Sequence, residues 1–120
     1  MADPINNHRD LIAWQLGMEL AAAVYDLVKL LPAIERFGLQ LQLRKAAGSV
    51  PANIAEGYGL VTKAQFLKHL NIANGSLKEV ETHLELAVRV GLLEPAKVQP
   101  ALQLASRLGA VIRGLRRSLS

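Results

Sequence analysis

Apolar positions recur with the period of an α-helix in four separate stretches of the chain. In the third stretch they step by four and three residues without a break, at Phe66, Leu70, Ala73, Leu77, Val80, Leu84 and Ala87. In the fourth they fall at Val98, Leu102, Ala105, Leu108, Ile112, Leu115 and Leu119. Each pattern predicts a helix with one buried stripe. Pro95 would begin the fourth helix, because proline is favoured in a first turn.

The first stretch, from about His8 to Pro32, carries two apolar stripes on one predicted helix. We expect the core stripe at Trp14, Met18, Ala21, Tyr25 and Val28. The second stripe lies one position away, at Leu20, Val24, Leu27 and Leu31. One stripe can be buried against helices of the same chain, and a second needs another partner. The simplest such partner is another subunit.

The second stretch, from Gly38 to Gly59, has a proline inside a helical pattern. Its apolar face is Leu39, Leu43, Ala46, Ala47, Val50, Ile54 and Tyr58. Its polar face is Gln42, Lys45, Ser49, Asn53 and Glu56. Pro51 removes one backbone hydrogen bond and clashes with the preceding turn. We predict one helix kinked at Pro51, where Gly48 and Ser49 allow a bend; two short helices broken at those residues are the alternative.

The connections between these stretches are short and carry helix start and stop signals. Thr62 with Gln65 matches a capping box, and Gly91 fits a C-terminal cap. Short connections require successive helices to run antiparallel. The sequence therefore predicts an all-α fold, an antiparallel up-down four-helix bundle. One domain would fill the 120 residues, with residues 1–7 as a loose tail.

Composition supports this fold and limits the chemistry. Apolar residues make up 51% of the chain and aromatic residues 4%, so the core must be aliphatic. The chain has no cysteine, which excludes disulfides and thiolate metal sites. No apolar run approaches the roughly 18 residues of a membrane span. The N-terminus lacks the features of a secretory signal, so we expect a cytoplasmic protein with no membrane partner.

The polar residues do not predict a reaction. Histidine occurs only at His8, His69 and His83. The last two are separated by about four helical turns, so one ion cannot bridge them within a chain. We expect no metal, no cofactor, no catalytic residue and no enzymatic activity. Glu79, Glu81 and Glu85 are expected to be solvated or to form ion pairs.

Three further polar or small positions have structural interpretations. Glu56 stands among small apolar residues, so we expect it to be buried and to act as a cap or in an ion pair with Arg44 or Lys45. Asn53 and Asn71 are expected to satisfy hydrogen-bonding partners near the kink. Gly75 interrupts the third helix at a cost of roughly 1 kcal/mol relative to alanine, and we interpret it as a close helix crossing.

Basic residues give the strongest functional signal in a chain of net charge +4. The candidate residues for contact with phosphates are Arg44, Lys45, Lys63, Lys68, Arg107, Arg113, Arg116 and Arg117. No aromatic residues interleave with them for base stacking. Binding to RNA or DNA would therefore involve the backbone, with little sequence preference. The alternative is an oligomeric scaffold that binds a protein partner, with the arginines only aiding solubility.

Several motifs resemble a known family. They are the run from Asp10 to Trp14, the segment GLQLQLRKAAGSVPANIAEGYG, and IANGSLKEVETHL. Together with Tyr25 and Phe66, they resemble the four-helix bundle protein family over about Arg9 to Leu119. The family includes proteins encoded by intervening sequences in bacterial large-subunit ribosomal RNA genes, and the accessory proteins of diversity-generating retroelements are related to it.

The resemblance implies an antiparallel four-helix bundle that assembles as a ring, typically a homopentamer, and that is not an enzyme. It also implies a nucleic-acid-binding basic surface and a protein partner such as a reverse transcriptase. The family's motif positions are occupied by Gln42, Arg44, Asn53, Glu56, Gly75, Ser76 and Glu79. Lys45 stands where the family often has arginine, and Leu60 where it often has a basic residue.

Overall fold

The computed structural model describes residues 6–60 and 62–120. Within these ranges the chain forms four α-helices and no strand. They are α1 (Ile12–Val28), α2 (Leu39–Tyr58), α3 (Lys63–Arg89) and α4 (Pro95–Leu119). Single 3-10 turns precede α1 at His8–Asp10 and α2 at Ala33–Glu35. The predicted all-α fold is confirmed.

Each helix packs against the next one in the chain, and α1 also packs against α4. Because the connections are short, this closed order gives an antiparallel up-down bundle, about 44 Å long. Its core is aliphatic, as the composition indicates. The largest fully buried side chains include Leu20, Leu43, Ile54, Leu70, Leu77, Leu84, Leu108 and Ile112.

The core-facing side of α1 differs from the prediction. Leu20 and Val24, from the second stripe, are fully buried, whereas Met18 and Tyr25 from the expected core stripe are 46% and 48% exposed. The expected assignment of the core stripe is therefore wrong, although Val28 is buried. Two adjacent stripes have the same period, so spacing alone does not choose between them. Branched aliphatic side chains fill the narrow interior, and the larger side chains lie at its margin.

The proline of the second helix lies inside one continuous helix. The chain is helical from Leu39 to Tyr58 on both sides of Pro51, so the alternative of two short helices is wrong. Pro51 is buried and faces α1. A Cβ atom on Gly17 would lie 3.3 Å from the Cβ atom of Pro51, so a glycine on α1 makes room for the proline ring.

The predicted ends of α3 and the start of α4 are confirmed. Thr62 Oγ1 accepts a hydrogen bond from Gln65 N at 3.1 Å and caps the start of α3. Gly91 adopts a φ of 80°, and Leu92 N donates to Ala87 O at 2.8 Å. Together with the bond from Gly91 N to Val88 O, this is a Schellman motif. Pro95 is the first residue of α4.

The N-terminal end is described only from Asn6. Residues 1–5 of the expected tail lie outside the described residues. Asn6 N donates to a carboxylate oxygen of Asp10 at 2.9 Å, and Asn7 Oδ1 accepts from Arg9 N at 2.8 Å. A capping box at Asn7 thus begins the turn that leads into α1.

The close helix crossing lies at Gly57 and not at Gly75. A Cβ atom on Gly57 would lie 2.7 Å from His69 Cβ, so α2 and α3 approach each other closely there. A Cβ atom on Gly75 would meet nothing within 4 Å, and the residue is exposed. The interpretation of Gly75 is therefore wrong. Its position two residues from Ala73 and from Leu77 turns it away from the buried stripe of the same helix.

Candidate nucleic-acid interface

The last turns of α4 lie beside the first turns of α3, because the two helices are antiparallel neighbours. Between them is a surface pocket of about 430 Å³. We call it the arginine pocket; its lining residues are Leu67, Asn71, Arg113, Arg116, Arg117 and Ser120. Three of the candidate cations are thus brought together by their i, i+3 and i, i+4 spacing on one helix.

One of these arginines is held by a hydrogen bond from the neighbouring helix. Arg116 Nη1 donates to Asn71 Oδ1 at 3.0 Å. Arg116 is half-buried, whereas Arg113 and Arg117 are exposed. Asn71 was expected to find a partner near the kink of α2, and that expectation is wrong. Its partner lies on α4, 45 residues further along the chain.

The parts of α3 and α4 that line the arginine pocket carry no carboxylate side chain. The sequence has no Asp or Glu in α4 or in residues 63–76. The ion pairs among the described residues are Lys29–Asp26, His69–Glu56, Lys78–Glu81 and His83–Glu79. None of them includes a candidate cation. The expectation for the glutamates of α3 is confirmed, since Glu81 forms an ion pair with Lys78 and Glu79 and Glu85 are exposed.

The two lysines of α3 extend this basic surface. Lys68 lines a second depression of about 510 Å³, which shares Leu67 and Asn71 with the arginine pocket. Lys63 is the first residue of α3, one to two turns before Lys68. Lys63, Lys68 and the three arginines of the pocket therefore occupy one end of the α3–α4 pair.

The remaining three candidates do not belong to this surface. Arg107 is nine residues before Arg116 on α4, a separation of about 14 Å along the helix. Arg44 and Lys45 lie in the first half of α2. Ser49 of that helix already contacts Ser76 of α3, so the residues before it lie alongside the second half of α3. The eight predicted cations are thus divided between different parts of the bundle.

A second polar region joins the middle of α2 to α3. We call it the α2–α3 seam; its residues are Ser49, Asn53, Glu56, His69 and Ser76. Ser49 Oγ lies 2.8 Å from Ser76 Oγ, and Asn53 Nδ2 donates to Ser49 Oγ at 2.9 Å. His69 Nδ1 lies 3.0 Å from Asn53 Oδ1. Two of the predicted motif residues, Asn53 and Ser76, thus belong to one hydrogen-bonded chain, and a third, Glu56, lies 4.0 Å from its last member, His69.

The hydrogen bonds of the seam fix the roles of its atoms. Asn53 uses its amide nitrogen to donate to Ser49 O and Oγ, both at 2.9 Å. Its oxygen is therefore the acceptor for His69, and the hydrogen of the imidazole lies on Nδ1. The expectation that Asn53 satisfies partners near Pro51 is confirmed. Its polar groups are used within the protein.

The expected environment of Glu56 is wrong. Its side chain is 65% exposed, and it lies beside His69, with 4.0 Å between Oε2 and Nδ1. Arg44 and Lys45 precede it by twelve and eleven residues on the same helix, about 16 to 18 Å along its axis. Its small neighbour Gly57 lies at the crossing with α3, whereas the Glu56 side chain points outward.

Sequence reasoning missed Ser49 and His69 as members of the seam. Ser49 stands four residues before Asn53, a spacing that puts both on one helix face and could have identified the pair. His69 carries no such signal, because its partner lies on another helix. The other motif positions are outside the seam: Gln42 is exposed on α2, and Glu79 pairs with His83 at 3.6 Å.

The described residues include neither a cluster of metal-ligand side chains nor a membrane-spanning helix. No group of three or more His, Cys, Asp or Glu side chains among them could hold a metal ion. Of the described helices, none combines the length and the apolar character needed to cross a membrane.

Residues 9–114 match the family described as 23S rRNA-intervening sequence protein. The chain belongs to this family. The match covers all of α1, α2 and α3 and most of α4. The resemblance noted in the sequence is thereby confirmed for the intervening-sequence proteins. The relation to retroelement accessory proteins stays a prediction.

A solved structure has the same fold as this intervening-sequence protein. It is a crystal structure of a protein of unknown function from the S23 ribosomal protein family of Bacteroides thetaiotaomicron. The two chains are 23% identical, with a TM-score of 0.81. The alignment covers 88% of this chain and 98% of the other. At this identity the likeness shows the fold alone. No curated protein matches the chain.

Proposed function

We propose that this protein is a non-enzymatic oligomer that binds nucleic acid through the arginine pocket and the adjoining Lys63 and Lys68. One observation carries the proposal: three guanidinium groups share a pocket, and none has a carboxylate partner among the described residues. Guanidinium groups bind phosphate oxygens through paired, charge-assisted hydrogen bonds. Their contact with a polyanion is strengthened further by counterion release.

The composition of the pocket favours contact with the nucleic-acid backbone. Its lining contains no aromatic side chain on which a base could stack. Arginine contacts to phosphates position a protein but carry no sequence information. We therefore expect binding to RNA or DNA with little sequence preference.

Self-association is the second part of the proposal, and the outer side of α1 supports it. Met18 and Tyr25, two turns apart on one face of this helix, are 46% and 48% exposed. Exposed apolar side chains that follow one helix face are typical of an interface. A second copy would cover them, and a ring such as a homopentamer would collect several arginine pockets in one particle. Replacing Met18 and Tyr25 by Glu should dissociate it, as measured by light scattering.

A protein partner is the alternative, and the connection between α1 and α2 favours it. Ile34 and Phe37 are 89% and 79% exposed there, and Leu30 next to them is 54% exposed. This apolar surface is at the opposite end of the bundle from the arginine pocket. Binding of another protein at this end would need no contribution from the arginines.

The deciding experiment measures binding of the purified protein to mixed-sequence RNA and duplex DNA over a salt series. We expect affinity to fall steeply as salt rises. In the triple variant Arg113→Glu, Arg116→Glu, Arg117→Glu, affinity should fall on the order of a hundredfold or more, because three attractions become repulsions. Circular dichroism and light scattering should show an unchanged fold and particle mass.

A matched control makes the same change of charge at the other end of the bundle. The variant Arg36→Glu, Arg89→Glu, Lys97→Glu alters the net charge equally but leaves the arginine pocket intact. We expect it to retain most of the binding. Equal losses in the two variants would mean that only the net charge matters. Absence of wild-type binding at low salt would favour the protein-partner alternative.

A further inference from the structure

The contact between Asn71 and Arg116 is the polar link between α3 and α4 at the arginine pocket. The guanidinium group donates from Nη1 to the amide oxygen at 3.0 Å, and both residues line the pocket. Leu67, one turn before Asn71 on α3, lines it as well. The Arg116 side chain therefore lies across the pocket toward α3, and it is less exposed than Arg113 and Arg117.

Such a contact leaves most of the binding capacity of the arginine unused. A guanidinium group has five N–H donors, and Asn71 occupies one of them. Asparagine is neutral, so the full positive charge of Arg116 remains available to an anion. A carboxylate in the same place would hold the side chain equally well but would neutralise it. An asparagine thus fixes the arginine without reducing its attraction for phosphate.

Fixing the side chain in advance reduces the entropy lost on binding. A flexible arginine loses rotamer freedom when a phosphate immobilises it, and an arginine already held loses less. We infer that Asn71 is a positioning residue of the nucleic-acid site, which holds Arg116 in the orientation that receives a backbone phosphate. This inference rests on the proposed function, and it adds a residue that carries no charge itself.

The test compares Asn71→Ala with Arg116→Gln in binding to mixed-sequence duplex DNA over a salt series. Asn71→Ala removes no charge, so affinity should fall about two- to tenfold at every salt concentration, the effect of immobilising one side chain. The slope of log affinity against log salt should not change. Arg116→Gln removes a phosphate contact, and its slope should be smaller by about one.

Two controls separate positioning from a structural role. Asn74→Ala makes the same substitution one turn further along α3, outside the residues that line the pocket, and should leave affinity unchanged. The melting temperature of Asn71→Ala should equal that of the wild type. In the double variant with Arg116→Gln, removal of Asn71 should have no further effect, because the side chain that it positions is gone.

The outcomes distinguish this inference from the proposed function. Unchanged affinity in Asn71→Ala, or a loss accompanied by a lower melting temperature, would overturn the positioning role. The proposed function would stand if Arg116→Gln still lowered the slope. An additive effect in the double variant would also overturn the inference. Absence of wild-type binding would overturn both.

Discussion

The α2–α3 seam and the arginine pocket are both polar regions between neighbouring helices, but they use their polar groups differently. In the seam, Asn53 uses its amide oxygen and nitrogen within the protein, toward His69 and Ser49. In the arginine pocket one hydrogen bond, from Arg116 to Asn71, joins the two helices, and the three positive charges are unpaired within the described residues.

This difference separates residues that hold the fold from residues available to a partner. A half-buried polar group without a hydrogen-bonding partner is costly, so the seam residues are constrained by one another. Exposed cations remain hydrated, so they need no partner within the protein and contribute little to its stability. We therefore expect substitutions in the seam to change the stability of the protein, and substitutions in the arginine pocket to change its binding.

The largest effect on stability is expected at the helix crossing beside the seam. In Gly57→Ala the new Cβ atom would lie 2.7 Å from His69 Cβ and 3.0 Å from a ring carbon of Phe66, so the helices must separate. The free energy of unfolding should fall by about 3 kcal/mol, near the upper end for overpacking. Chemical denaturation measures it. If Gly57→Ala lowered the free energy of unfolding by less than Asn53→Ala does, the close approach of α2 and α3 at Gly57 would be contradicted.

A somewhat smaller loss is expected for Asn53→Ala. The substitution removes the bonds to Ser49 and leaves His69 Nδ1, in a side chain only 15% exposed, without its acceptor. The expected cost is about 2 kcal/mol. The same sample should bind nucleic acid with wild-type affinity at a temperature where it is folded. Weakened binding by the folded variant would show that the seam and the arginine pocket are not separate.

The third substitution, Gly75→Ala, is expected to raise the stability of the protein. Gly75→Ala places a methyl group in open space on an exposed helix face, since nothing lies within 4 Å of the added atom. Alanine favours the helix by about 1 kcal/mol relative to glycine, so the variant should be more stable by about that amount. Thermal and chemical denaturation measure the gain. A destabilised variant would mean that another surface packs against this position.

The smallest effect on stability is expected in the arginine pocket. Arg113 is exposed and makes no ion pair among the described residues. Arg113→Gln should therefore change the free energy of unfolding by less than about 0.5 kcal/mol. Its affinity for nucleic acid should nevertheless be lower than that of the wild type. The slope of log affinity against log salt should also be smaller. If Arg113→Gln clearly lowered stability but not affinity, the arginine pocket would be a structural region and not a binding region.

The sequence predicts the helices well because their signals are local. The heptad of α3, the Thr62 cap and the Gly91 cap all depend on residues within a few positions of one another. The fold follows from them, since short connections leave few arrangements. The family motif also identifies Asn53, Glu56 and Ser76 as special positions, although it does not say what they contact.

The errors arise where an outcome depends on another helix. Met18 and Tyr25 belong to a stripe with the correct period, but only the packed bundle decides which of two stripes faces inward. Glu56 has small neighbours because α3 crosses there, and not because its carboxylate is buried. Arg116 and Asn71 are 45 residues apart, so no local pattern relates them. The cluster of arginines can be recognised in the sequence, whereas Asn71, the neutral residue that holds one of them, cannot.

The most direct test of the central claim is the salt dependence of duplex DNA binding in two variants measured side by side. One is Arg113→Gln, Arg116→Gln, Arg117→Gln, and the other is Asn53→Ala. If each arginine contacts a phosphate, the slope of log affinity against log salt should be smaller by about 2.7 in the first variant. The slope should not change in the second. A wild-type slope in the triple variant would contradict the assignment of the arginine pocket to nucleic acid.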